Sequence, residues 1–296
     1  MFDKKSGWIY GFIGVAIFSG SLPATRIAVA DFDPVFLTFI RATIAGVLAI
    51  FLLVVFPQKR PDFSNLVSLF IVAFGVVVGF PLLTALALQH ITSAHSIVFI
   101  GLLPLSTAIF GVLRAGDRPP LVFWLFAAAG STLVAGFALT QGLSVSWIGD
   151  ILMLAAILVC GLGYAEGGKL SRELGGWQVI SWALVLSLPI MAPLAIYFRP
   201  ETFIPISQAA WIALGYLSLF SMLIGFVFWY QGLAQGGIAA VGQLQLLQPF
   251  MGFMLAATLL EEKISWPMVL VSITVVLCIA GAKKTRKPPT NYQIQV

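Results

Sequence analysis

GFPLLTALALQHITSAHSIVFIGLLP, residues 79–104, is echoed by GFVFWYQGLAQGGIAAVGQLQLLQP, residues 225–249. Gly79-Phe80 matches Gly225-Phe226, Gln89 matches Gln235 and Ala94 matches Ala240, each at an offset of 146; Pro104 matches Pro249 at 145. The echo widens to 65–139 and 208–284, so one pattern occurs twice in the chain. Both copies are almost wholly apolar, and so is what flanks them. Of 296 residues, 60% are hydrophobic and 9% charged, with a mean hydropathy of +1.03. Soluble domains carry about 25% charged residues, so lipid must be the solvent for most of this length. A transmembrane barrel needs alternating apolar and polar residues. Here Ala45–Phe56 and Leu69–Val78 run unbroken, which leaves helices.

Ten spans near the ~20 residues a bilayer requires are predicted: 7–29, 34–56, 65–87, 92–114, 120–139, 147–168, 175–197, 208–232, 237–260 and 266–283. Short connections separate them, such as Asp31-Phe32-Asp33-Pro34 and Asp117-Arg118-Pro119-Pro120. Lys4, Lys5 and the apolar stretch ending at Ala28-Val29-Ala30 have the anatomy of a signal peptide. Its removal would leave an odd, asymmetric set of helices, so a retained first span is expected. With the N-terminus inside, the inner segments collect Lys4, Lys5, Lys59, Arg60, Arg114, Arg118, Lys169, Arg172, Lys283, Lys284, Arg286 and Lys287. The outer side keeps Arg199, Lys263 and Arg26. That bias predicts both termini in the cytoplasm. The expected fold is therefore all-α and integral to the membrane: ten transmembrane helices in two inverted five-helix repeats, 1–140 and 141–284. A basic polar tail follows at 285–296, suited to an anionic leaflet or to a plain stop-transfer flank. Inverted repeats of membrane helices are the architecture of secondary transporters, with the solute held between the halves.

Several stretches resemble the drug/metabolite transporter superfamily, in its EamA branch. Phe18-Ser19-Gly20-Ser21-Leu22-Pro23-Ala24-Thr25-Arg26 is similar to that family's aromatic–Trp–Gly opening before a basic residue, with Ser19 where Trp is usual. Pro34, Arg41 and Ala42 or Ala45 are similar to its Pro…Arg-x-x-x-Ala pattern. Gln248-Pro249 followed by Leu260-Glu261-Glu262-Lys263-Ile264 looks like its Pro…Gly-Glu turn. Within the branch the chain looks most like bacterial exporters of aromatic and other amino acids. The resemblance implies a multi-pass inner-membrane carrier of small metabolites, usually moving them outward, with the fifth and tenth spans at the periphery. No cofactor, metal or nucleic acid is expected; the partners are a small-molecule substrate and the lipid. Oligomeric state and direction are not written in the sequence. An importer, or a carrier of purines, nucleotide sugars or cationic drugs, is the alternative.

Substrate contacts are expected from spans 1, 3, 4, 6, 8 and 9. Ser19 and Ser21 lie about 18–21 Å along the first span, beside Pro23, which frees backbone carbonyls. They either face a cavity or bond back to their own helix. Gln245 and Gln248 share a helix face at mid-depth and must turn away from lipid, toward a cavity or a neighbouring helix. His95, with Phe99 a turn deeper, has the chemistry to hold a carboxylate or relay a proton. Phe80, Phe99, Tyr164 and Trp229 offer aromatic walls, although such residues also face lipid. Arg26 and Arg41 flank Asp31 and Asp33 near the outer face and predict an ion pair that locks or gates that end. Glu166, with Lys169 at i+3, predicts an ion pair at the inner surface or inner gate. Cys160 and Cys278 read as small apolar residues. No His-Glu-x-x-His or Gly-x-Ser-x-Gly motif supports an embedded enzyme, and no filter sequence or charge ring supports a channel.

Overall fold

The structure is a computed structural model and describes residues 4–56, 58, 60–91, 96, 99–139, 146–204, 206–248, 250–252, 254–255 and 266–284. Helices account for nearly all of them. Those long and apolar enough to cross a membrane are α1 (Ser6–Ala28), α2 (Pro34–Val55), α3 (Phe63–Ala87), α6 (Trp147–Leu174), α7 (Gly176–Tyr197) and α8 (Gln208–Gly236). Shorter helices are α4 (Leu103–Ala115), α5 (Leu121–Leu139), α9 (Ile238–Gly242, continued as a 3₁₀ turn over Gln243–Leu247) and α10 (Trp266–Lys284). Large apolar side chains such as Phe51, Phe70, Leu125, Ile151 and Ile212 stand exposed on the outside, as a lipid-facing surface requires.

Local chemistry sets the helix ends. The Asp33 carboxylate accepts from the amides of Val35 and Phe36, and Pro34 supplies the first helical φ of α2. Ser146 and Ser207 cap α6 and α8 in the same way. Gly175 and Gly237, at φ of 91° and 90°, turn α6 into α7 and α8 into α9 with a single residue. A β-carbon at either position would be strained. The first helix breaks where Pro23 threatens it. Its regular run ends at Ser19 and resumes at Ser21, because proline has no amide for the Ser19 carbonyl. Two of the carbonyls at the break are met from across the molecule: the Tyr216 hydroxyl donates to Ile17 at 2.6 Å and the Gln248 amide to Phe18 at 3.4 Å.

The close packing uses glycine. Gly7 and Gly11 of α1 lie against Gly236 and Gly232 of α8, backbone on backbone. Gly75 of α3 lies against Gly163 of α6 likewise. Small residues of this kind let membrane helices approach closely. Both α3 and α8 also loosen from α into π geometry, over Ala73–Gly79 and Leu217–Ile224. The two π stretches occupy matching places in the sequence repeat, the first ending on Gly79 and the second just before its mate Gly225.

Contacts between helix ends sort into two faces. On one, the start of α1 meets the end of α8 through Gly7 and Gly236, Ser68 near the start of α3 meets Glu166 of α6, and Asp117 after α4 meets Arg172 of α6. On the other, Asp31 after α1 meets Ser207 before α8, Phe39 of α2 meets Phe198 after α7, and Ile91 after α3 meets Gly149 of α6. Thus α1 starts at the face where α6 ends. Helices α5 and α10 lie side by side, Gly281 against Phe126, in a satellite cluster with Phe123, Ala127 and Ala282.

Candidate functional site

A cavity of about 70 Å³ sits in the middle of the bundle. Helix α1 contributes Phe18, Ser21 and Thr25; α2 contributes Arg41; α3 contributes Val76, Phe80, Pro81, Thr84 and Ala85. Ile100, Leu103, Tyr164 of α6, Ser221 and Phe226 of α8, and Gln248 complete it. Among the lining residues none comes from α5 or α10. Ligand pockets for larger organic molecules run to about 300–1,000 Å³, so as it stands this one takes a small solute or the polar head of a larger one, whose remainder needs the bundle to open.

Its walls combine four aromatic, six polar and five aliphatic residues. Phe18 and Phe226 meet edge to face at 5.0 Å, and Tyr164 meets Phe226 at 5.9 Å. Trp229 and Tyr230 close the cluster behind them, both fully buried, with Trp229 at 5.4 Å from Tyr164. Such edge-to-face pairs add about 0.5–1.5 kcal/mol each beyond contact area. Opposite the rings, Ser21 and Ser221 share a hydrogen bond of 2.8 Å that ties α1 to the π segment of α8. Thr25 bonds back to the Ser21 carbonyl. Arg41 has its Nε buried with no partner, and so does the Thr84 hydroxyl. Among the described residues, none that lines the cavity is acidic.

Toward the face where α6 ends, a second polar cluster closes the bundle. The Glu166 side chain is 0% exposed and accepts from Arg114 Nε at 2.8 Å and from the Ser68 hydroxyl at 2.6 Å, with Lys169 Nζ at 3.5 Å. Asp117 accepts from Arg172 at 3.2 Å and from the Ala239 amide at 2.9 Å, capping α9. At the other face Asp31 accepts from the Ser207 amide at 2.8 Å. The Ser207 side chain and amide together hold the Asp31 carboxyl below its ordinary value of 3.8.

Of the residues the sequence singled out, Ser21, Phe80, Tyr164 and Gln248 line the cavity. Ser19 does not: it is buried and its hydroxyl bonds back to Val15. Trp229 and Gln245 are buried outside the lining, and Phe99 packs against the core. His95, Pro249, the Leu260–Ile264 turn and the tail from 285 lie outside the described residues. The ion pair expected among Arg26, Arg41, Asp31 and Asp33 is not formed. Both carboxylates are taken by amides, and Arg41 points into the bundle instead. Glu166 does pair with Lys169, but in the interior, because α6 runs on to Leu174, beyond the predicted end at 168. Sequence reasoning missed Phe226 as a wall, although the repeat marks it as the mate of Phe80. It also set Arg41 in an outer ion pair or gate and not in the cavity, where a depth count of about 10 Å from the start of α2 would have placed it.

The sequence profile of the EamA-like transporter family matches residues 5–139 and again residues 147–282. The chain belongs to this family. The transporter is 68% identical over 287 residues to YdeK of Bacillus subtilis, an uncharacterized transporter, covering 97% of this chain and all of that one. An uncharacterized transporter of Archaeoglobus fulgidus is 24% identical over 277 residues, 91% of this chain and 93% of its own. A solved crystal structure superposes with a TM-score of 0.76 over 94% of this chain and 98% of its own, at 19% identity, which speaks to the fold. The protein is thus a multi-pass membrane transporter that handles a small molecule in a lipid environment.

Proposed function

We propose that the transporter is a secondary carrier in the bacterial inner membrane that moves small organic metabolites by alternating access. The two halves, 1–140 and 141–284, are read as inverted five-span repeats with both termini cytoplasmic. Amino acids with aromatic or bulky side chains are the leading substrates, moved outward. The observation that carries this reading is the cavity between α1–α4 and α6, α8 and the segment after α9, lined from both halves and edged by the two matching π segments. π turns recur at functional sites because they bend a helix without breaking it. The antiparallel start of α1 and α6, and the double match to one family profile, support inversion of the halves. Basic residues concentrated at the face of Glu166 and Arg172 support a cytoplasmic assignment for that face.

In this reading Glu166 with Arg114, Lys169 and Ser68 forms the inner gate, backed by Asp117 with Arg172. Asp31 with Ser207 ties the outer face. Aromatic walls favour flat side chains, while Ser21, Gln248 and Arg41 address the polar end. A described lining with no acidic group favours exchange or facilitated movement over carboxylate-based proton coupling. Counterflow in proteoliposomes tests the proposal: vesicles preloaded with unlabelled amino acids should accumulate labelled phenylalanine or tryptophan saturably. Uptake that is linear in concentration and indifferent to preloading would overturn it.

A further inference from the structure

Arg41 is the unusual group in this cavity. Buried charges are ordinarily paired or coordinated, since an isolated one loses its hydration for nothing. Here the guanidinium Nε is buried and has no partner, and the Thr84 hydroxyl in the same lining has none either. The carboxylates that stand nearest along the chain, Asp31 and Asp33, are occupied by backbone amides at a helix end. Glu166 belongs to Arg114 and Lys169. The described lining otherwise offers hydroxyls, the Gln248 amide, rings and aliphatic groups, and no anion. A chamber whose described walls hold one permanent cation and no countercharge focuses a positive potential on whatever enters. The planar fork of arginine fits the two oxygens of a carboxylate.

We propose that Arg41 docks the anionic group of the transported solute, and that the carrier takes small organic acids, zwitterionic amino acids included, over organic cations. This rests on the carrier reading above. Carboxylate is the chosen chemistry because the cavity is small and holds one cation, whereas a phosphate dianion would meet a single charge. The solute completes an ion pair that the empty protein lacks, so binding supplies the neutralisation that the fold withholds. Thr84 and Ser21 stand as further donors, and the rings of Phe80, Tyr164 and Phe226 take the organic remainder.

The test uses purified full-length protein and a charge-graded series: 3-phenylpropanoate, L-phenylalanine, L-phenylalaninamide and phenethylamine, with short aliphatic carboxylates, benzylphosphonate and inorganic phosphate. Ligand-induced thermal stabilisation should appear with the carboxylates and not with the amide or amine. Arg41→Met should weaken carboxylate binding at least tenfold, and Arg41→Lys should retain part of it. Unliganded Arg41→Met should melt no lower than the native protein, because it removes an unpaired charge. If it fails to fold, Arg41→Lys and Arg41→Gln carry the comparison, with the same graded loss expected. Equal binding of amine and acid, unchanged affinity in the Arg41 variants, or no binding by any carboxylate would each overturn the proposal. Binding by phosphonate and phosphate but not carboxylate would overturn the carboxylate assignment. Counterflow measured in parallel separates the two ideas. Counterflow that survives Arg41→Met unchanged sinks this inference and keeps the carrier, whereas Arg41-dependent binding without counterflow keeps the anion site and sinks the carrier.

Discussion

Gln248 shows how one side chain serves both the helix break and the cavity. Its amide reaches the Phe18 carbonyl at the interruption of α1 while its body lines the site. Gln248→Leu should therefore cut transport several-fold and cost about 0.5–1.5 kcal/mol of stability, read by counterflow and by thermal melting. Glu166 is a different case, since three partners converge on a side chain with no exposure. Removing one member of a fully buried pair costs about 3–5 kcal/mol; Arg114 and Lys169 are 41% and 42% exposed and can turn to water, so Glu166→Gln should cost about 1–3 kcal/mol. It should also raise the accessibility of the inner face to cysteine-directed labels. Asp31 was legible as a charged loop residue, but its role was not. The sequence suggests an arginine partner, and the fold delivers the amide of Ser207 from 176 positions away. Because the Ser207 side chain and amide together lower the Asp31 pKa, the tie is complete above 3.8 and fades as pH falls through the lowered value. Melting difference between native protein and Asp31→Asn should shrink only in that acid range.

Element by element, the chain is governed by where helices break and where they touch. Pro23 announced an interruption of α1, but only packing chose Gly20 as its centre, where a β-carbon would collide with the Tyr216 hydroxyl. Gly20→Ala should displace Tyr216 from the Ile17 carbonyl and cost about 1–3 kcal/mol, the penalty of an unmet buried polar group. Tyr216→Phe removes the same bond, so the double variant should cost clearly less than the two singles added, a non-additivity that melting can measure. Gly7/Gly11, Gly75/Gly79 and Gly163/Gly167 have the four-residue spacing of close-packing faces, but the spacing does not give their partners. Spacing tells that a helix has a small face and not which helix meets it. The π segments had no sequence sign at all. A π turn costs little locally, and it forms where tertiary contacts favour it over the α ladder.

At the scale of the molecule, the paired faces make the decisive prediction about mechanism. Cysteine pairs placed at Asp117/Arg172 and at Asp31/Ser207 should each cross-link, and each cross-link should stop counterflow, because alternating access requires both ends to part in turn. Impermeant labels should reach neither terminus from outside intact cells. The chain by itself determined the solvent, the helical class, most of the spans and the doubling of the pattern, because a bilayer imposes length and backbone satisfaction on each segment independently of its neighbours. It also carried the glycine, proline and capping residues that end or thin the helices. Tertiary structure alone decided which polar groups face one another. Arg41 belongs to the cavity and not to Asp31, Glu166 is buried beneath the half-exposed Arg114 and Lys169, and Ser21 reaches across to Ser221. Helix spacing fixes a residue's depth and the face it occupies, but the rotation and partner of that face come from packing against other helices. A charge's neighbour is therefore known only once the bundle has closed.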